Sequence, residues 1–321
     1  MRTRIFTIML LSLLIALTGC GVSGKTATEV NNGGEKMLVY TSLFPIYSFS
    51  KQIGGEYVTV KSIIPAGTEP HDFEPSPKVI TELNQAKLFL INGAGYETWI
   101  DKISDNLDSS QTKVVNVSEG IELLNSDEEA EEHTAEDEHG HQAESSGGDP
   151  HVWLDPTLAK KQADIVRQAF IEADPEHKDA YQKNYDALAA ELDALDEEYV
   201  TALSTAKKKE FVTSHRAFSY LANRYGIEQI GISGLSPSEE PSQKDLQNLI
   251  EIVEELEIKY VAFEELVENK IAKTVQQEAG VAAITLNPLE NVTKEQFEKN
   301  TTYVELMKEN LEALKKMLEA Q

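Results

Sequence analysis

Seven histidines are spread over the 321 residues, and the company they keep differs. His71 lies within 65–77, where four prolines in thirteen positions exclude a regular element, because each fixes φ and removes a backbone donor. His151 sits between Pro150 and Pro156 in DPHVWLDP (149–156), and His215 follows an apolar run in TSHRAF (213–218). Stiff loops of this kind hold a side chain where a ligand needs it. Neutral imidazole is the commonest metal-ligating side chain, and three of them with a carboxylate make a closed tetrahedral shell suited to zinc. The three lie far apart in the chain, so unrelated polar histidines remain the other reading at this point. No HExxH or similar compact zinc-enzyme signature occurs. Of the rest, His177 reads as a surface residue near a helix start. His133, His139 and His141 sit among carboxylates, where they could gather zinc loosely or simply decorate a solvated insertion.

The elements that must position these loops are short β-rich runs alternating with helical patterns. Strands are expected at Leu38–Ser42, Val58–Ile64, Lys87–Asn92 and Lys113–Val117. A second set is expected at Glu210–Thr213, Glu228–Ile232, Tyr260–Phe263 and Ala283–Leu286. Helical stretches fall between most of them, among them Lys78–Gln85, Gln243–Glu257 and Lys270–Glu278. The alternation implies parallel sheets with covering helices, and four strands per half imply two similar α/β lobes. Binding loops then belong at the carboxyl ends of the strands, where His215 follows its strand. Tyr181, Tyr185, Leu188, Leu192, Leu195, Tyr199 and Leu203 recur at helical spacing behind Asp174 and Pro175. They predict one long helix over 174–206, about 48 Å at about 1.5 Å per residue, a rigid strut between the lobes. Two shorter helices broken near Asp193–Asp196 are the alternative.

Composition narrows the partners. Lys+Arg is 29 against 55 Asp+Glu, a formal net charge of −26, which argues against nucleic acid. The acidity keeps a secreted protein soluble and favours cations weakly. Hydrophobic residues make up 40%, enough for real cores. Arg2 and Arg4 followed by the apolar run Ile5–Leu17 read as a signal peptide, residues 1–19. The run ends in Leu17-Thr18-Gly19-Cys20, which resembles a bacterial lipobox with Cys20 as the lipidated residue. Cys20 is the single cysteine, so no intramolecular disulfide and no thiolate zinc cluster can form, and any metal rests on His and carboxylates. Residues 20–36 read as a flexible tether. The acidic, His-bearing stretch 127–148 reads as a disordered loop within an N-terminal lobe of 37–173, and the C-terminal lobe is 207–321.

Six motifs occur in order: EPHDFEPSP (69–77), NGAGYETW (92–99), DPHVWLDP (149–156), TSHRAF (213–218), FEELVENKIAKTVQQEAG (263–280) and LNPLE (286–290). Together they closely resemble the zinc-binding lipoproteins of bacterial ABC zinc importers, the ZnuA/AdcA type, over nearly the whole chain beyond the signal. The resemblance implies an α/β fold of two (β/α) lobes with mostly parallel four-stranded sheets, joined by one long rigid helix, and a metal in the cleft. It carries His71, His151 and His215 over as ligands. Glu290 falls where lipoprotein members place a carboxylate, with a water as the alternative fourth ligand. Glu74 and Glu264 are candidates for supporting or substitute positions. Manganese-binding relatives tend to carry a carboxylate where this chain has His215, so the resemblance implies Zn²⁺ as cargo, and nitrogen ligands agree. The implied partners are an ABC permease with its ATPase and, through the lipid, the outer face of the cytoplasmic membrane, with the protein a monomer and not an enzyme. A zinc hydrolase is a rival that lacks a general base beside the site. A surface adhesin is another, and it is compatible with transport.

Overall fold

The structure, a computed structural model, describes residues 36–125, 148–239, 242–267 and 270–321. The signal peptide, Cys20, the tether before Lys36, and His133, His139 and His141 of the acidic stretch lie outside them.

The first lobe builds a parallel sheet from β1 (Met37–Thr41), β2 (Val58–Ser62), β3 (Leu88–Ile91) and β4 (Lys113–Asn116), in the order β2-β1-β3-β4. Strand β3, LFLI, is buried at every position, as a central parallel strand covered on both faces should be. The second lobe repeats the plan with β5 (Glu210–Thr213), β6 (Glu228–Gly231), β7 (Tyr260–Phe263) and β8 (Ala282–Thr285), ordered β6-β5-β7-β8. Every pairing is parallel, with Val39 opposite Leu88 and Val212 opposite Val261 at the two switch points. Two parallel α/β sheets are thus what the alternating pattern predicted. Their ends differ from expectation by a few residues; β2, for example, stops at Ser62 where Ser62 Oγ turns back to the Ile64 backbone.

The crossover helices of the first lobe are α1 (Phe44–Gly54), α2 (Pro77–Leu83) and α3 (Ile100–Ser104). Then come α4 (Pro156–Ala173), which Asp155 caps through the Thr157 amide, and α5 (Lys178–Leu203). The expected helix from Asp174 begins instead with a 3₁₀ turn over Pro175–His177. The reason is local. Asp174 Oδ2 accepts from Tyr181 Oη and lies 2.6 Å from His177 Nδ1, so it does not cap the backbone, and the first turn tightens. His177 also stacks on Tyr57, with ring centroids 4.0 Å apart.

Helix α5 runs unbroken through Asp193–Asp196 and buries Tyr181, Leu188, Leu192, Leu195, Tyr199 and Leu203. Each such leucine contributes about 1.5–3 kcal/mol relative to exposure. Its first half meets the first lobe, where Asn184 donates to the Ile53 carbonyl. Its second half meets α6 (Ser219–Tyr225), through Asp196 and Arg224. It also meets the last helix, α10 (Tyr303–Met317), where Tyr199 donates to the Met307 carbonyl. The helix before that, α9, spans Lys294–Glu298.

Packing does not divide at the lobe boundary. One continuous core takes in Phe49 and Phe89 of the first lobe, Leu192 of α5, Phe211 of β5 and Tyr303 and Met307 of α10. A smaller cluster lies on the far face of the second sheet. There Val212, Ile232 and Val261 meet Leu249 and Val253 of α7 (Gln243–Glu255), and Ala272 and Val275 of α8 (Lys270–Glu278).

Candidate metal centre

Loops after the carboxyl ends of β2, β4, β5 and β8 carry His71, His151, His215 and Glu290 to one point. One possible ligand atom from each lies within 4.8 Å of all the others. The three Nε2 atoms face the same carboxylate oxygen, Glu290 Oε1, at 2.9 Å for His71, 3.0 Å for His151 and 3.5 Å for His215. His151 and His215 are wholly buried, Glu290 is 2% exposed, and His71 is 14% exposed at the rim.

Each side chain is placed by its own loop. His71 donates its backbone N–H to Glu69 Oε1, closing the Pro-rich turn. His151 enters a short 3₁₀ turn, Val152–Leu154, and its Nδ1 lies 2.7 Å from Asp149 Oδ1. His215 Nδ1 lies 2.6 Å from Glu264 Oε1, and Ser214 Oγ donates to that same oxygen. A carboxylate on Nδ1 fixes the tautomer and aims the Nε2 lone pair outward to a metal. Glu290 is aimed by Leu289, a buried residue in the left-handed region at φ 60°, whose amide donates to Asn287 Oδ1. Asn310 of α10 locks that turn from both sides, accepting from the Asn287 amide and donating to its carbonyl. A left-handed leucine is costly, and such conformations persist where surrounding bonds over-determine them.

The charges are strongly coupled. Burial would raise Glu290, but the three imidazoles hold it well below the usual carboxylate range. Burial favours neutral His151 and His215, yet Asp149 and Glu264 respectively, with Glu290, outweigh it and raise both above the ordinary imidazole value. His215 Nε2 is nevertheless left without a hydrogen-bond partner. Burial and the nearby Glu290 charge push Glu69 up to about 8. Once deprotonated, three inward imidazole nitrogens and the Glu290 carboxylate make a donor set suited to a small divalent cation.

Glu264, a candidate for a supporting position, stands behind His215. Glu74 does not approach the centre; it is exposed on the Pro-rich loop, and the chain reaches its carboxylate inward at Glu69 instead. Asp149 and Glu69 were not singled out from sequence, although both lie two residues before a histidine in the motifs. Among the described residues no helix is long and apolar enough to cross a membrane.

The "High-affinity zinc uptake system protein ZnuA" of Bacillus subtilis (strain 168) is 40% identical over 314 residues, 98% of this chain and 97% of that protein. The "Zinc-binding lipoprotein AdcA" of Streptococcus pneumoniae is 38% identical over 305 residues, 95% of this chain and 60% of that longer protein. Among solved structures, the Zn(II)-bound ZnuA-like domain of S. pneumoniae AdcA superposes with a TM-score of 0.73 at 38% identity, covering 88% of this chain and 99% of that domain. The laminin-binding protein Lmb of Streptococcus agalactiae, described as bifunctional with adhesin and metal-transporting activity, gives 0.75 at 34% identity, covering 88% and 99%. The sequence model described as "Zinc-uptake complex component A periplasmic" matches residues 39–317, and the chain belongs to this ZnuA family.

Proposed function

We propose that His71, His151, His215 and Glu290 are the four ligands of one Zn²⁺, which the protein captures outside the cytoplasm and presents to an ABC importer. The observation that carries the ligand assignment is the convergence of three Nε2 atoms on a single carboxylate oxygen, two of the rings being backed by carboxylates. Zinc is cargo here, and the protein is a solute-binding component of ABC transport, not an enzyme. Three nitrogens and one oxygen suit zinc over manganese, whose preferred shell is oxygen. The site needs no bond chemistry; it needs to exchange the ion's water shell for fixed donors and later give the ion up. The long helix shared by both lobes favours small tilts and loop reordering over wide hinge closure.

The experiment is direct. Metal analysis of the purified protein should find one tightly held zinc, and replacing His71, His151 and His215 together by Ala should abolish it. Cells carrying that triple variant should fail to grow at low zinc and recover when zinc is added. Normal growth and undiminished zinc content in the variant would overturn the reading.

Lipidation at Cys20 would hold the protein on the outer face of the cytoplasmic membrane, as a monomer; the name of the AdcA relative includes "lipoprotein". Labelling with a palmitate analogue, lost in Cys20→Ala, tests it. A role in adhesion is a second reading, favoured by the 34% likeness to Lmb. Laminin binding that survives in the triple His variant would separate it from transport.

A further inference from the structure

The loop after β3 holds a residue that the four-ligand account does not use. In NGAGYETW, Gly93, Ala94 and Gly95 all have positive φ, at 74°, 53° and 83°, and the Tyr96 amide closes the turn on the Gly93 carbonyl. The buried Glu97 carboxylate pins the loop by accepting from the Asn92 and Gly93 amides at 2.8 and 2.9 Å. Together these aim Tyr96 at the centre. Its ring centroid lies 4.8 Å from that of His71 and 6.2 Å from that of His151, the second edge-on. Its hydroxyl is buried and has no hydrogen-bond partner among the described residues. A buried donor left unmade is costly, so its persistence points to a state in which it is made.

That state follows from the contacts at Glu290. Without an ion, Glu290 Oε1 lies 2.9 Å from His71 Nε2 and 3.0 Å from His151 Nε2. A cation seated between them takes the Nε2 lone pairs and one carboxylate oxygen, so the direct imidazole–carboxylate contacts give way. A carboxylate that binds through one oxygen then has another to satisfy. We propose that Tyr96 is a positioning residue for zinc: its ring seats His71, and in the loaded protein its hydroxyl donates to the Glu290 carboxylate and keeps it bound through one oxygen. The hydroxyl is suited to donate. A phenol keeps its proton at neutral pH and offers one O–H donor. Keeping Glu290 at one oxygen preserves four-coordination, the geometry that favours zinc over ions wanting more oxygens.

The inference rests on the zinc site proposed above, and Tyr96→Phe tests it separately because the ring remains. Zinc binding of the full chain is measured by chelator competition, beside manganese binding, the melting temperature of the ion-free protein and the near-ultraviolet tyrosine difference signal on loading. The expected result is zinc affinity roughly tenfold weaker, on the scale of outer-shell losses, with manganese affinity unchanged or stronger. The ion-free melting temperature should be unchanged or higher, since an unmade buried donor is gone. The difference signal should shrink. Wild-type zinc affinity in Tyr96→Phe would overturn the proposal, and so would parallel losses of ion-free stability and affinity, the mark of packing alone. If wild type itself held no zinc, the site reading would fail first, which distinguishes the two failures.

Discussion

Two parts of the centre are held in different ways. Glu290 belongs by sequence to the second lobe, yet its loop is bonded to the first. The Glu290 carbonyl accepts from the Phe44 amide, the Pro288 carbonyl from Trp153 Nε1 at 2.7 Å, and the Val292 carbonyl from the Gly67 amide. Asn291 Nδ2 donates to the carbonyls of Pro65 and Thr68, at the root of the His71 loop. Leu286, Leu289 and Val292 join the main core. His71, His151 and Glu290 therefore stand on one stitched frame. His215 stands at the carboxyl ends of the central strands β5 and β7, fixed by Glu264 and Ser214; Phe211 of β5 joins the main core, and Val212 of the same strand joins the smaller cluster under α7 and α8. The contrast teaches that sequence halves and mechanical halves need not coincide. An ion held by all four side chains adds to the shared core a further tie to the second sheet, through one imidazole.

The largest expected effect breaks that tie. His215→Ala leaves the frame intact yet should weaken zinc binding by about two to three orders of magnitude, a quarter or so of the ~10–16 kcal/mol typical of closed zinc sites. Chelator competition measures it, and a loss under tenfold would show that the frame holds the ion alone. Removing a supporting carboxylate comes next. Glu264→Gln and Asp149→Asn should each cost about 10- to 100-fold in affinity. Since only Glu264 serves the second sheet, its variant alone should also speed hydrogen exchange around β5 when zinc is present.

Proton competition gives a third, smaller expectation. Zinc needs the lone pair that a proton occupies, so affinity falls as pH drops through the imidazole pKa values of the ion-free protein. The carboxylates behind His151 and His215 raise those values, so the decline should begin above the free-imidazole value of about 6.5. A titration with competing chelator over pH 5–8 decides it; a flat profile would rule out imidazole ligation. The smallest effect concerns the stitching. Asn291→Ala leaves the Pro65 and Thr68 carbonyls short of a donor and should cost about 1–3 kcal/mol of stability in thermal unfolding, with only a modest affinity change.

Much of this was legible in the residues. Alternating β-rich and helical runs marked both sheets, because parallel strands such as LFLI are apolar throughout and their crossovers are amphipathic. The prolines around His71 and His151 marked stiff loops. What the residues concealed is long-range. Nothing near Asn310 announces that it fixes the turn before Glu290, and nothing near Trp153 announces a bond to Pro288, because such partners meet only after folding. Asp149, Glu69 and Tyr96 were in view inside the motifs but had no visible address, since a side chain's role behind a ligand depends on direction, not spacing. The 3₁₀ form of the first turn ahead of α5 was not legible either, because Asp174 bonds Tyr181 and not the backbone.

The shared core also sets the order in which the chain can become itself. Ser48 Oγ, on the first helix, accepts from the Tyr303 amide, and the Leu318 carbonyl accepts from the amides of Lys207 and Lys208. The first helix is thus completed by the last one, and contacts so distant along the chain form slowly. Until residues 303–318 are in place, the polypeptide lacks a finished interior.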